Sequence, residues 1–341
     1  MRKEIVDLIN IKGKITFADY MELALYHPEY GYYTSGKEKI GKRGDYYTSS
    51  DVHSVFGELI ARQLEQMWRL LGSNRFTVVE IGAGKGWLCH DILNHIKNEY
   101  PEFFEKIDYK IVEISRDLIE RQSDTLKGFE EKVSWESFSE DGFSFSPIEG
   151  CFLSNEFVDS LSVHQVIVED NYLKEIYVTT TDGVLCEKID ELSNPELENY
   201  FKELNINLKD GQRAEVNLKA LDWVENISCH LNRGFVVTID YGHLAEELYS
   251  EERCRGTLMC YFEHTTSENP YERVGNQDIT SHVNFSSIIE AGLKSGLNTT
   301  GFVKQSNFLI ALGILNKMND AKGDFSKLLT MKNLFMPGGM G

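Results

Sequence analysis

The residues with the clearest chemistry form the run Glu80-Ile81-Gly82-Ala83-Gly84-Lys85-Gly86. It closes the apolar, β-rich stretch Phe76–Ile81 and precedes a helical pattern that begins at Trp87. A strand that ends in glycines before a helix presents backbone N–H groups at the carboxyl edge of a sheet, and glycines let that backbone approach a ligand closely. A dinucleotide fingerprint needs G-x-G-x-x-G, and counted from Gly82 its third glycine falls on Trp87. A Walker loop is excluded as well, because no Gly-Lys-Ser/Thr follows at the required spacing. What stands in the chain is G-x-G-x-G preceded by Glu80. A carboxylate there suits a ligand with a positive amino group and a sulfonium better than a pyrophosphate. Glu113, at the end of the next apolar run, adds a carboxylate able to accept both ribose hydroxyls. The expected cofactor is S-adenosyl-L-methionine, held by Glu80, Gly82, Ala83, Gly84, Gly86 and Glu113.

The elements that must position this loop are legible as alternating patterns. FTVVEIG reads as a strand, Trp87 to Tyr100 as a helix, Tyr109 to Ile114 as a second strand, and about 117–126 as a second helix. Weaker strand material near Val133 precedes a third apolar run, 150–156. Strand, helix, strand, helix, strand spells a parallel sheet, and continuously apolar strands fit burial on both faces. His164 to Val168 and Leu173 to Val178 alternate around Asp170-Asn171, the grammar of an antiparallel hairpin. Residues 194–232 read as amphipathic helix, 235–242 as a returning core strand, and 308–313 as a late strand or helix start. Residues 1–26 carry helical spacing, with Thr16 and Asp19 forming a capping-box signature, and 51–71 return to it. The expected organisation is an N-terminal helical, cofactor-covering segment (1–71), a core (72–162 and 233–341), an inserted α+β cap on the substrate side (163–232) and an added loop-rich segment (244–283).

Bulk properties narrow the partners. The 341-residue chain has a formal net charge of -19, which argues against affinity built on neutralised phosphates and so against a nucleic-acid partner. No segment offers the roughly 18 apolar residues of a membrane span, and a membrane partner is not expected. The six cysteines are scattered without a CxxC pair; Cys89 and Cys151 fall in apolar segments, as expected of reduced, buried thiols in a cytoplasmic protein. No HExxH or similar ligand spacing occurs, and no metal is expected.

The stretches HPEYGYYTS, GDYYTSSDVHSVFGELIA, VVEIGAGKGWL, VEIS, LSNEFVDSLSVHQ, DYGH, GTLMCYFEH, QDITSHVNFSSI and KQSNFLIALGI together resemble the MidA-like methyltransferases, a family that includes a mitochondrial complex I assembly factor methylating protein arginine. The resemblance spans about residues 16–314. It implies an α/β, Rossmann-like class I methyltransferase: a mostly parallel central sheet with helices on both faces, an N-terminal helical segment and an inserted α+β cap. It implies that segment 44–49 folds over the cofactor, where Gly44 permits close approach and Asp45, Thr48 and Ser49 offer acceptors and hydroxyls. Ile114 and Asn155 join the cofactor set on the same ground. In class I enzymes the end of the fourth strand, here Asn155-Glu156-Phe157-Val158-Asp159, brings the acceptor to the sulfonium. Carboxylates there can hold a guanidinium through charge-assisted bonds and help remove its proton, so Glu156 and Asp159 are the expected catalytic pair. Asp240, His243, His264 and His282 are the expected substrate-lining residues. Family members usually continue beyond the position of Gly341 into another strand, which leaves the sheet edge in question.

The expected activity is methyl transfer to a protein arginine. A small-molecule O- or N-methyltransferase and a cofactor-binding assembly protein with little catalysis stand as alternatives, and the oligomeric state, a homodimer included, stays open.

Overall fold

The computed structural model describes residues 1–35, 53–139, 142–321 and 323–335. The expected cofactor residues Gly44, Asp45, Thr48 and Ser49 lie outside the described residues. The chain divides into two compact units: Met1–Lys37, Phe157–Glu225 and Asp240–Asn298 in one, and Glu38–Glu156, Asn226–Ile239 and Thr299–Gly341 in the other.

The second unit is built on five parallel strands. These are β1 (Phe76–Ile81), β2 (Ile107–Val112), β3 (Val133–Glu136), β4 (Ile148–Asn155) and β5 (Leu231–Ile239), in spatial order β5-β4-β1-β2-β3. The strands form where the apolar runs stand, because a parallel sheet covered by helices hides both faces. Val78, Ile111, Cys151 and Leu153 pack in one core with Phe56, Leu59 and Leu64 of α1 (Val55–Leu70) and Leu88, Ile92 and Ile96 of α2 (Trp87–Glu99). A third helix, α3 (Arg116–Thr125), follows β2 and starts at Ser115, whose hydroxyl accepts the Leu118 N–H. The strands run so close at Gly150 that a Cβ there would sit 1.9 Å from the Thr77 carbonyl oxygen of β1. Strand order reverses between β1 and β4, and in open α/β sheets the ligand crevice lies beyond the carboxyl ends at that reversal. The glycine run follows β1, and 155–159 follows β4.

The other unit carries a five-stranded sheet in which His164–Glu169, Tyr172–Thr181, Val184–Asp190 and Arg213–Val216 pair antiparallel. The first hairpin turns through Asp170 and Asn171, both at positive φ (53° and 65°), as that dipeptide predicts. Val166, Tyr200, Phe201, Val216 and Tyr249 form its core with the helix Glu196–Glu203.

The units cut the chain differently from the sequence expectation. Residues 1–37 leave 1–71 because Ile15–Thr16 adds to the antiparallel sheet against Val178 and Tyr177, whereas α1 packs in the parallel-sheet unit. Within the region read as amphipathic helix, Arg213–Val216 is a strand, four residues too mixed to betray themselves without the partner His164–Ile167. Residues 308–313 fall in the helix Gln305–Leu312 and the glycine that caps it.

Candidate active site

The glycine run folds as the spacing requires. Gly82, Gly84 and Gly86 all take positive φ (71°, 53° and 81°), a region closed to most side chains. The Gly86 N–H donates to the Ala83 carbonyl (2.8 Å), and Gly86 then caps α2. Trp87, where a dinucleotide loop would carry glycine, opens the helix with its side chain 43% exposed.

Glu80 is placed otherwise than an acid facing a ligand. It is buried beneath the loop, and its Oε2 accepts the Tyr109 hydroxyl (2.7 Å) from β2. Burial pushes its carboxyl up to about 7, against the opposing effect of the Tyr109 bond. Val78 pairs with Tyr109 and Glu80 with Ile111, so the four side chains share one sheet face.

Glu113 is held as a ribose acceptor would need to be. Its Oε1 accepts the N–H groups of Ile114 and Ser115 (both 2.9 Å), and its Oε2 accepts Gln122 Nε2–H (3.1 Å). The same Gln122 nitrogen donates to the Gly84 carbonyl (2.8 Å), while Gln122 Oε1 accepts the Trp135 indole N–H (2.8 Å). Gln122 is fully buried, and a Cβ on Gly86 would meet its Cγ at 3.3 Å. One amide of α3 thus ties the glycine loop to the Glu113 carboxylate. The sequence reading missed Gln122, since a glutamine in a polar helix gives no local sign of burial. It missed Tyr109 too, although period-two alternation one strand from Glu80 offered a hint. Ile114 is 53% exposed, an apolar surface beside Glu113.

At the end of β4, Ser154 Oγ and Asn155 Oδ1 are buried without a hydrogen-bond partner among the described residues. Glu156 follows in the left-handed region (φ 49°), unusual for a glutamate, with its N–H on the Ile239 carbonyl (2.8 Å). Asn155 Nδ2–H donates to Glu156 Oε1 at 3.5 Å. Orphaned polar atoms, a positive-φ glycine loop and a preset carboxylate at the switch point together fit a polar nucleoside cofactor.

In the antiparallel-sheet unit, Val158–Ser160 forms one 3-10 turn. Asp240 closes it: Oδ2 accepts the N–H groups of Phe157, Val158 and Asp159 (3.1, 2.9 and 3.3 Å), and Oδ1 accepts that of Tyr241 (2.9 Å). Asp240, expected to line the substrate, thus accepts four backbone N–H groups. Asp159 is 3% exposed; burial pushes its carboxyl up to about 6 while the Tyr241 hydroxyl, bonded to it, pulls the other way. His243 and His282 come together with ring centroids 5.3 Å apart. His243 also meets Glu247 (3.0 Å) and Arg253 (3.1 Å), and burial, with His243 and Arg253 nearby, lowers the His282 pKa. His264 sits apart, at positive φ (60°) in the exposed turn between Met259–Phe262 and Thr265–Ser267.

Comparison with known proteins agrees with this geometry. Residues 59–303 match the profile of a family described as S-adenosyl-L-methionine-dependent methyltransferases. A Caenorhabditis elegans protein named protein arginine methyltransferase NDUFAF7 homolog, mitochondrial, is 27% identical over 93% of this chain and 77% of its own length. The human protein arginine methyltransferase NDUFAF7, mitochondrial, is 26% identical over 92% of this chain and 73% of its own. A crystal structure of a COG1565 superfamily member from Burkholderia thailandensis, bound to S-adenosyl-homocysteine, superposes with a TM-score of 0.89 at 29% identity, covering 100% of this chain and 89% of that one. The cytoplasmic location expected from the cysteines is overturned by the Caenorhabditis elegans and human relatives, both named as mitochondrial. Scattered thiols report a reducing environment, and more than one compartment provides that.

Proposed function

The chain belongs to the S-adenosyl-L-methionine-dependent methyltransferase family, and from that premise we propose that it methylates a side-chain nitrogen of a protein arginine. The observation that carries the acceptor is Asp159: a carboxylate 3% exposed, with Oδ1 lacking any hydrogen-bond partner among the described residues. A buried, half-satisfied carboxylate costs stability unless a cation comes to it, and a guanidinium supplies charge and N–H donors together. The names of the curated relatives point to the same acceptor.

The bound cofactor supplies an electrophilic methyl group on a sulfonium. The 82–86 loop, Glu113, Ile114 and Asn155 would hold it, with Gln122 fixing the loop against Glu113 and Glu80 buried below the loop. Asp159 would bond the guanidinium and orient it. Such positioning is the main source of rate in a direct displacement. The acceptor nitrogen would give up a proton to a carboxylate. Asp240 is a positioning residue that fixes the 157–159 backbone.

The test incubates purified protein and labelled cofactor with an extract from cells that lack it, followed by mass spectrometry. Labelled methylarginine in protein is expected; label only in small molecules refutes the reading. Glu156→Gln is expected to bind cofactor normally and to lower kcat about 100-fold, within the range of general acid–base contributions.

A further inference from the structure

Asp278 is as buried as Asp159 (2% and 3% exposed) and has no part in the cofactor site. It opens the strand Asp278–Thr280, whose continuation returns to Asp159: the Ser281 N–H donates to the Asp159 carbonyl at 3.0 Å. Asp278 Oδ1 accepts the Tyr33 hydroxyl (2.6 Å) and the Ile279 N–H (2.9 Å). Tyr33 stacks on Tyr26 with centroids 5.3 Å apart and planes 28° apart, and the Tyr26 hydroxyl donates to the Ser160 carbonyl (3.0 Å). Tyr241 bonds Asp159 from another side and stays 38% exposed. Both carboxylates lie close enough to Tyr26 and Tyr241 to help raise the pKa of each phenol. Three aromatic rings therefore surround two buried acids within one unit.

We propose that Asp159 and Asp278 form the floor, and Tyr26, Tyr33 and Tyr241 the wall, of a guanidinium-binding site. Asp159 Oδ1 is buried and unpartnered, and among the described residues no lysine, arginine or histidine forms an ion pair with Asp159. A ligand's cation would satisfy Asp159 Oδ1. A guanidinium fits it better than an ammonium, because its planar fork can bond two carboxylates while its faces lie on phenol rings. The proposal rests on the arginine reading above and makes Asp278 and Tyr33 specificity-determining residues for it.

The test is calorimetry of the full chain, saturated with S-adenosyl-homocysteine, against Nα-acetylarginine amide and its neutral citrulline counterpart. The arginine compound is expected to bind at least about tenfold more tightly. Asp278→Asn is expected to weaken it about 10–100-fold, as for a lost bond to a charged group, and to leave citrulline binding unchanged. Tyr33→Phe keeps the ring and is expected to weaken arginine binding a few-fold, which protects the test if Asp278→Asn misfolds. Equal binding of the two compounds, or an arginine preference unaltered in both variants, overturns the site. If arginine amide is preferred but no methylarginine forms, the methylation reading fails and the site stands. If methylarginine forms and Asp278→Asn leaves its KM unchanged, the site fails and the reading stands.

Discussion

Replacing Glu80 by Gln is expected to stabilise the protein, and more so as pH rises. Glu80 is 3% exposed, its oxygen accepts the Tyr109 hydroxyl, and burial lifts its carboxyl from the ordinary 4.5 to about 7. A glutamine keeps the shape and the acceptor but cannot ionise. Because the folded pKa lies above the unfolded one, the carboxyl costs nothing below about pH 4.5, where both states are protonated. Between about 4.5 and 7 the unfolded chain releases the proton and the folded one keeps it, so wild-type stability falls as pH rises. Above about 7 the loss is complete. At 1.36 kcal/mol per unit the total is about 3 kcal/mol. At about 2–4 °C per kcal/mol for a unit of this size, the midpoint of Glu80→Gln should gain about 6–12 °C on wild type between pH 4.5 and 8. The assay is thermal unfolding of both proteins, without cofactor, across that range. Parallel curves would refute the reasoning, since they would require Glu80 to be ionised in the folded protein already at pH 5.

Gln122→Leu removes the amide that joins Gly84 to Glu113; calorimetry should show S-adenosyl-L-methionine affinity reduced by about tenfold or more, with an added stability loss of about 1–3 kcal/mol from the unpaired Trp135 N–H. Gly150→Ala drives a Cβ to 1.9 Å from the Thr77 oxygen, so the strands must separate; denaturant unfolding should register a loss of about 4 kcal/mol or more, or no soluble protein. If methyl transfer needs ionised Asp159, kcat/KM should fall tenfold per pH unit below about 6. Tyr241→Phe, which removes a bond favouring the carboxylate, should move that limb to higher pH in the same assay.

The amino-acid sequence by itself determined the chemistry that depends on local spacing. Three glycines at alternate positions before a helix pattern can turn only one way, and the missing glycine at Trp87 decided against a dinucleotide. The central strands β1 and β4 were legible because burial on both faces makes them continuously apolar, and the hairpin because Asp170-Asn171 tolerates positive φ. The tertiary structure alone decided what the polar side chains do. Glu80 reads as a ligand-facing acid and is buried against the Tyr109 hydroxyl; Asp240 reads as substrate-lining and accepts four backbone N–H groups; Gln122, which no sequence pattern singles out, joins Gly84 to Glu113. Asp278 and Tyr33 meet across 245 residues. A hydrophobic pattern reports a whole face and survives averaging along the chain. A polar side chain's role is set by one or two partners brought close by folding, and no local pattern names them.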